Sequence, residues 1–157
     1  MKLVTVSDHT TADLQITHEI VNVILHRNYS SFLFQLRDLI PTIDYPGHWG
    51  GFGGSIEPGE FFFSAGYREL EEELCYTPPN LYHFRTYIYG HKRIYMCYCE
   101  LVLPLSKLKQ GEGMDMELFS RDQIFNGPLY SQKLNDKFPV APPLLEIFEE
   151  FFKDLEE

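Results

Sequence analysis

The chain has 157 residues, a formal net charge of −10, an ordinary hydrophobic share of 44% and a high aromatic share of 15%. That length is expected to fold as one domain over 1–157 and to bury a core without staples. A uniformly acidic protein lacks the clustered Lys and Arg that a nucleic-acid backbone demands, and no stretch reaches the length of a membrane span. Neither nucleic acid nor a membrane is therefore the expected partner.

Met1 to Asp8 reaches polar residues before any apolar run develops, so no secretory leader is expected. Ile20-Val21-Asn22-Val23-Ile24-Leu25 is an apolar, β-branched run and reads as a core strand. Ser31 to Arg37 reads as its partner, with Arg27 to Ser30 as the turn. Arg37 to His48, marked by Pro41, Pro46 and Gly47, reads as a loop, and Trp49 to Phe52 as a short extended piece. A helix is expected from about Phe61 to Leu74, because Phe63, Tyr67, Leu70 and Leu74 make one apolar stripe. Thr77-Pro78-Pro79-Asn80 ends it. Leu81 to Tyr89 and Arg93 to Leu103 read as two strands that turn at Gly90-His91. Gly111-Glu112-Gly113 reads as a loop and Met116 to Phe119 as a short strand. A last helix starts near Pro142-Pro143, where proline is tolerated, and turns Leu144, Leu145, Ile147, Phe148, Phe151 and Phe152 inward. Strands flanked by two separated helices predict an α/β fold with a mixed sheet between helices.

Three cysteines, Cys75, Cys97 and Cys99, make no disulfide framework, and the expected compartment is cytoplasmic. None of the six histidines, His9, His18, His26, His48, His83 and His91, has zinc-site spacing. No Gly-x-x-x-x-Gly-Lys loop is present.

The chemistry concentrates in Gly54-Ser55-Ile56-Glu57-Pro58-Gly59-Glu60 and the later Arg68-Glu69-Leu70-Glu71-Glu72-Glu73. Glu69, Glu72 and Glu73 stand at i, i+3 and i+4, on one helical face. Like charges at that spacing repel, and a hard divalent cation is the natural remedy, since Mg²⁺ takes carboxylates while leaving positions for water and phosphate. Such an ion also reconciles an acidic protein with a phosphorylated substrate. The glycines Gly50, Gly51, Gly53, Gly54 and Gly59 allow the backbone to approach a ligand closely. Arg37, at a strand end, is a candidate phosphate or base contact, and Trp49 and Phe52 are candidates to stack on a base.

This pattern resembles the box of the Nudix hydrolases: Gly54, Glu60, Arg68-Glu69, Leu70, Glu72-Glu73, with every charged position matched. The departures are Cys75 where the family has Gly, Tyr76 where it usually has an aliphatic residue, and Phe52 where it usually has Pro. The resemblance implies a Nudix-type α/β/α sandwich and Mg²⁺- or Mn²⁺-dependent hydrolysis of a nucleoside diphosphate linked to another group. It implies that Glu69, Glu72, Glu73 and the Gly53 carbonyl hold the metal, with Arg68 and Glu60 bracing the site. Glu69 is the first candidate for the general base. Glu112, in a loop similar to one that mutator-type members use near the metals, is its rival as base and as ligand. A Nudix fold that binds or senses a nucleotide without catalysis is the alternative. The expected partner is a small nucleotide, with nucleoside triphosphates or oxidised ones leading, and a homodimer is left open. His91-Lys92 stands roughly where ADP-ribose-acting members carry a proline. Cys75 at the family's glycine position is expected either to be strained in a left-handed conformation or to pack inward with negative φ.

Overall fold

The computed structural model describes residues 2–7 and 15–157, so His9 lies outside the described residues. In chain order the elements are β1 (Leu3–Thr5), β2 (His18–Arg27), β3 (Ser31–Leu36), β4 (Trp49–Gly50), β5 (Phe52–Ser55) and α1 (Phe62–Leu74). They continue as β6 (Tyr82–Tyr89), β7 (Lys92–Glu100), β8 (Asp115–Ser120), α2 (Arg121–Phe125), β9 (Leu129–Ser131), β10 (Asp136–Phe138) and α3 (Pro142–Leu155). Among the described residues no helix is long and apolar enough to cross a membrane.

Eight strands form one mixed sheet in the order β1-β6-β7-β2-β3-β4, with β5 added on β2 and β8 on β3. The parallel pair is β2 with β7, in register from His18↔Lys92 to His26↔Glu100. The β2–β3 hairpin turns at Asn28 and Tyr29, whose φ values are 49° and 56°. It is paired only at His26↔Phe32 and Arg27↔Ser31. The strands then part. The first half of β2 pairs with β5, from Ile20↔Ser55 to Val23↔Phe52, while β3 pairs with β4 and β8. This divergence lets the glycine segment run along β2.

Alternation along the strands feeds two cores. Val21, Val23, Leu25, Leu33, Cys97 and Cys99 pack with Leu70 and Leu74 of α1. Ile24, Phe32, Phe34, Leu36, Ile94 and Met96 pack with the inner residues of α3. The sheet is therefore sandwiched, with α1 on one face and α3 on the other. On the α3 side Phe32 meets Phe148, Phe151 and Phe152 edge-on at centroid distances of 5.4, 6.2 and 5.1 Å, a favourable geometry for aromatic pairs. Of the residues expected to face inward from α3, Leu145 is only partly buried.

Two expected base-stacking residues are corrected here. Trp49 is 0% exposed and Phe52 1%. Trp49 donates Nε1–H to the Leu129 carbonyl at 3.0 Å and packs edge-on against Phe119 at 4.9 Å. Phe52 fills the core under α1. Neither presents a ring face to a ligand, because apolar area in a strand beside two cores is worth more buried than displayed.

The sequence pattern also missed α2 and the β9–β10 hairpin. α2 carries a complete capping box, in which Ser120 accepts from the Gln123 N–H and Gln123 Oε1 accepts from the Ser120 N–H. The hairpin is anchored by buried polar groups: Ser131 Oγ donates to Asp115 Oδ2 at 2.6 Å and accepts from the Leu134 N–H at 3.1 Å.

Candidate active site

The site begins where β5 lies against β2. Gly53 pairs with Asn22 and Gly54 with Val21. Gly53 has φ 148°, and a Cβ there would stand 2.0 Å from the Val21 carbonyl oxygen, so no side chain fits. A Cβ on Gly54 would stand 2.4 Å from Glu69 Oε1. The Gly53 N–H donates to Glu73 Oε2 at 3.3 Å. The two glycines thus admit two carboxylates of α1 directly over the β5 backbone.

Arg68 organises the remainder. Its Nε and Nη2 donate to the two oxygens of Glu60, both at 2.9 Å. Nη1 donates to Glu69 Oε1 at 3.0 Å and reaches Glu72 Oε1 at 3.3 Å, and Nη2 also donates to the Ser55 carbonyl at 3.0 Å. The Glu57 N–H adds a bond to Glu60 at 3.1 Å. The Arg68 guanidinium, helped by that N–H, holds the Glu60 carboxyl down to about 2. A planar five-donor fork suits this work better than an ammonium.

The third carboxylate arrives by a capping argument. The last turn of a helix leaves carbonyls without partners. Here the loop after β7 supplies them: Lys109 N–H donates to the Leu74 carbonyl at 3.0 Å and Gly111 N–H to the Glu73 carbonyl at 2.8 Å. Gly113, at φ 88°, turns the chain back and donates to Asp38 Oδ2 at 3.3 Å. Glu112 is therefore pinned beside the end of α1. Its charge acts on both Glu69 and Glu73.

The helix ends in the strained form expected of the family's glycine position. Cys75 has φ 53° and ψ 41° and is exposed, with its N–H donating to the Glu71 carbonyl at 3.0 Å. This is a left-handed cap without glycine. Tyr76 is buried and fully used: its hydroxyl donates to the Glu100 carbonyl at 2.7 Å and accepts from the Val102 N–H at 3.2 Å.

Burial pushes the Glu73 carboxyl up to about 8, with the Glu69 charge adding to the effect and the Gly53 N–H opposing it. Burial also raises Glu69, against the pull of Arg68. Glu72 is exposed, its side chain 58% accessible. Among the described residues no group of three His, Cys, Asp or Glu side chains is already arranged to hold an ion. The donor chemistry nevertheless fits a hard divalent cation: a buried carboxyl pushed towards its neutral form, beside two further carboxylates, all oxygen donors.

Glu73 and Glu112 line one end of a cleft of about 860 Å³ that runs over the α3 face of β2 and β7. Arg37 lines it and its charge lowers the pKa of Glu73. Trp49 and Phe52 do not line it. At the far end the loop 37–48 reaches across to the β6–β7 turn. Arg37 Nε donates to the Asp44 carbonyl at 2.7 Å, Lys92 Nζ pairs with Asp44 Oδ2 at 2.5 Å, and the hydroxyls of Tyr45 and Tyr89 meet at 2.8 Å. Sequence reasoning missed Asp44, Tyr45, Tyr89, Lys92, Asn22 and Gln35 as cleft residues. The one usable signal was a polar amide set inside each of two apolar strands.

The NUDIX domain family matches residues 17–139. No curated protein sequence matches the chain. Among solved structures, the MutT protein of Methanosarcina mazei Go1 is 16% identical with a TM-score of 0.65, over 94% of this chain and 100% of that one. The NUDIX domain of Shewanella oneidensis NrtR, complexed with ADP ribose, is 17% identical with a TM-score of 0.66, over 95% and 94%. MutT described for Aliivibrio salmonicida and Vibrio cholerae is 19% identical with a TM-score of 0.63, over 82% and 94%. At these identities the structural likeness concerns the fold. With the family model matched over 17–139 and every charged position of the box in place, the chain belongs to the Nudix family.

Proposed function

We propose that the chain hydrolyses the pyrophosphate bond of a nucleoside diphosphate linked to another group, with Mg²⁺ or Mn²⁺ as cofactor. Nucleoside triphosphates, oxidised ones included, are the leading substrates. The observation that carries this reading is that Glu69 and Glu73 lie over the Gly53–Gly54 backbone, with Glu73 and Glu112 lining a nucleotide-sized cleft.

Glu69, Glu72, Glu73, Glu112 and the Gly53 carbonyl are the groups that would hold the ion. When bound, a divalent ion neutralises a diphosphate and lowers the pKa of water. The residues of the chain do the rest. Arg68 keeps Glu69 oriented and opposes the rise that burial imposes on its pKa, with Glu60 locking Arg68 from behind. Arg37, which lines the cleft and whose charge acts on Glu73, is the candidate to meet a phosphate oxygen. Glu69, or else Glu112, takes the proton of the attacking water.

The test is release of phosphate or pyrophosphate from a panel of nucleoside triphosphates, oxidised triphosphates and ADP-ribose, with Mg²⁺ or Mn²⁺ and in excess chelator. Turnover that stops in chelator is expected. Full turnover in chelator, or none on any nucleotide with metal, sinks the proposal.

A further inference from the structure

The middle of strand β2, Ile20 to Leu25, is apolar except at Asn22, and Asn is a poor strand residue. Alternation puts Asn22 on the same face as Ile20 and Ile24, towards α3 and the cleft. Across the sheet it faces Met96 on β7 and Gly53 on β5. Its Oδ1 is buried without a hydrogen-bond partner, one of two such side-chain atoms among the described residues. A buried acceptor left unpaired destabilises a fold, and a leucine of similar size would carry no such penalty.

The surroundings accommodate the amide. A Cβ on Gly51 would stand 2.4 Å from Asn22 Oδ1. Gln35 Nε2 donates to the Gly51 carbonyl at 2.8 Å, which fixes the backbone beside the amide. Gln35 is itself buried, at 6% exposure. Position then suggests the occupant. Asn22 is the strand partner of Gly53, whose N–H holds Glu73, so it sits at the diphosphate end of the cleft. The next inward-facing rung is Ile20 with Ile94, and the last is His18 with Lys92. From Asn22 to His18 is four residues, roughly 13 Å of strand, which suits a sugar followed by a base. In a nucleotide the group joined to the diphosphate is the sugar.

We propose that Asn22 is a specificity-determining residue, whose side-chain amide hydrogen-bonds the ribose hydroxyls of a ribonucleotide held in the cleft. This rests on the pyrophosphohydrolase reading above and narrows its substrate class. An amide offers an acceptor and donors, and rotation about its last torsion presents either to the cleft. A cis-diol offers both in return. A sugar lacking them leaves the amide unpaired, and sites built around a hydrogen bond reject such analogues strongly.

The experiment compares kcat/KM for the ribonucleoside triphosphates with that for their 2′,3′-dideoxy counterparts, in the unaltered protein and in Asn22→Leu. Thermal unfolding of both proteins without nucleotide is recorded alongside. The unaltered protein is expected to favour the ribonucleotide by at least about tenfold. In Asn22→Leu that ratio falls to near one, and the unliganded variant melts at the same temperature or higher. A ratio near one in the unaltered protein overturns the proposal, as does a ratio that survives in Asn22→Leu or a variant that melts several degrees lower. If no nucleotide is hydrolysed, the pyrophosphohydrolase reading fails by itself. The ratio is then read from calorimetric Kd values for ATP and dideoxy-ATP, where the same gap, closed in Asn22→Leu, is expected and equal affinities overturn the proposal.

Discussion

The two helices that flank the sheet are built to opposite rules. α3 starts with prolines in its first turn, ends with Lys153 in its last, and buries Leu144, Ile147, Phe148, Phe151 and Phe152. Each feature favours the helix: proline is preorganised at the start, and a cation suits the negative end of the macrodipole. Neither helix has a side-chain cap at its start, but α1 has no proline in its first turn to replace one and no basic residue in its last turn. Its glutamates gather towards the end where the dipole is already negative. Its exit residue, Cys75, is held left-handed without glycine. α3 is arranged for stability. α1 is arranged to present charge and depends on Arg68, the loop at 109–113 and the core beneath it to stay folded.

That contrast can be broken from either side. The largest effect is expected at Glu73→Gln and Glu72→Gln, which should each lower hydrolysis by orders of magnitude while the metal-free fold is kept; at Glu72, one fewer like charge is worth about a few tenths of a kcal/mol. Near-normal turnover at saturating Mg²⁺ would remove the residue from the ligand set. Phe148→Ala should do the reverse, costing about 3–5 kcal/mol of stability in denaturant titration through loss of its contacts with Phe32 and Phe34. A loss below 1 kcal/mol would mean that the α3 aromatic core does not carry the fold.

Next in size is the contest between Glu69 and Glu112. A proton acceptor contributes about 10²–10⁴-fold, and the larger loss of kcat is expected for Glu69→Gln. A larger loss in Glu112→Gln with metal affinity unchanged would move the base to the loop. The smallest effect is at Cys75→Gly, which should be neutral or stabilising by up to about 1 kcal/mol, because a side chain in the left-handed region is disfavoured. A clear fall in melting temperature would show instead that the thiol is a packed contact.

The sequence made the site helix legible because its signals are local. A glycine segment, a stripe at helical spacing and fixed charge positions need no knowledge of the partner strand. Cys75 was legible for the same reason, since a helix stop constrains its own backbone. Trp49 and Phe52 were misread because burial is decided by what lies across the sheet, here Leu129, Phe119 and the underside of α1. The strap at the far end of the cleft was invisible since Asp44 meets Lys92, and Tyr45 meets Tyr89, across more than forty residues. α2 was readable from Ser120 and Gln123 and was overlooked because it is short.

The most direct test of α1 as a cation-dependent element is its thermal unfolding against pH, with and without divalent metal. Burial, with the Glu69 charge adding to it, pushes the Glu73 carboxyl up to about 8 in the fold from an ordinary 4.5. The folded protein therefore keeps a proton that the unfolded chain gives up. Glu73's contribution to stability is complete below about pH 4.5 and is lost as pH rises towards 8. A bound ion replaces that proton and stabilises the fold in proportion to the logarithm of its concentration over Kd. In chelator the melting temperature is expected to fall over this window. Mg²⁺ or Mn²⁺ should restore it at the alkaline end, and Glu73→Gln should weaken both responses, what remains of the pH dependence coming from Glu69 and the other shifted groups. A melting temperature that is flat with pH and indifferent to both ions would contradict the assignment of these carboxylates as a metal site.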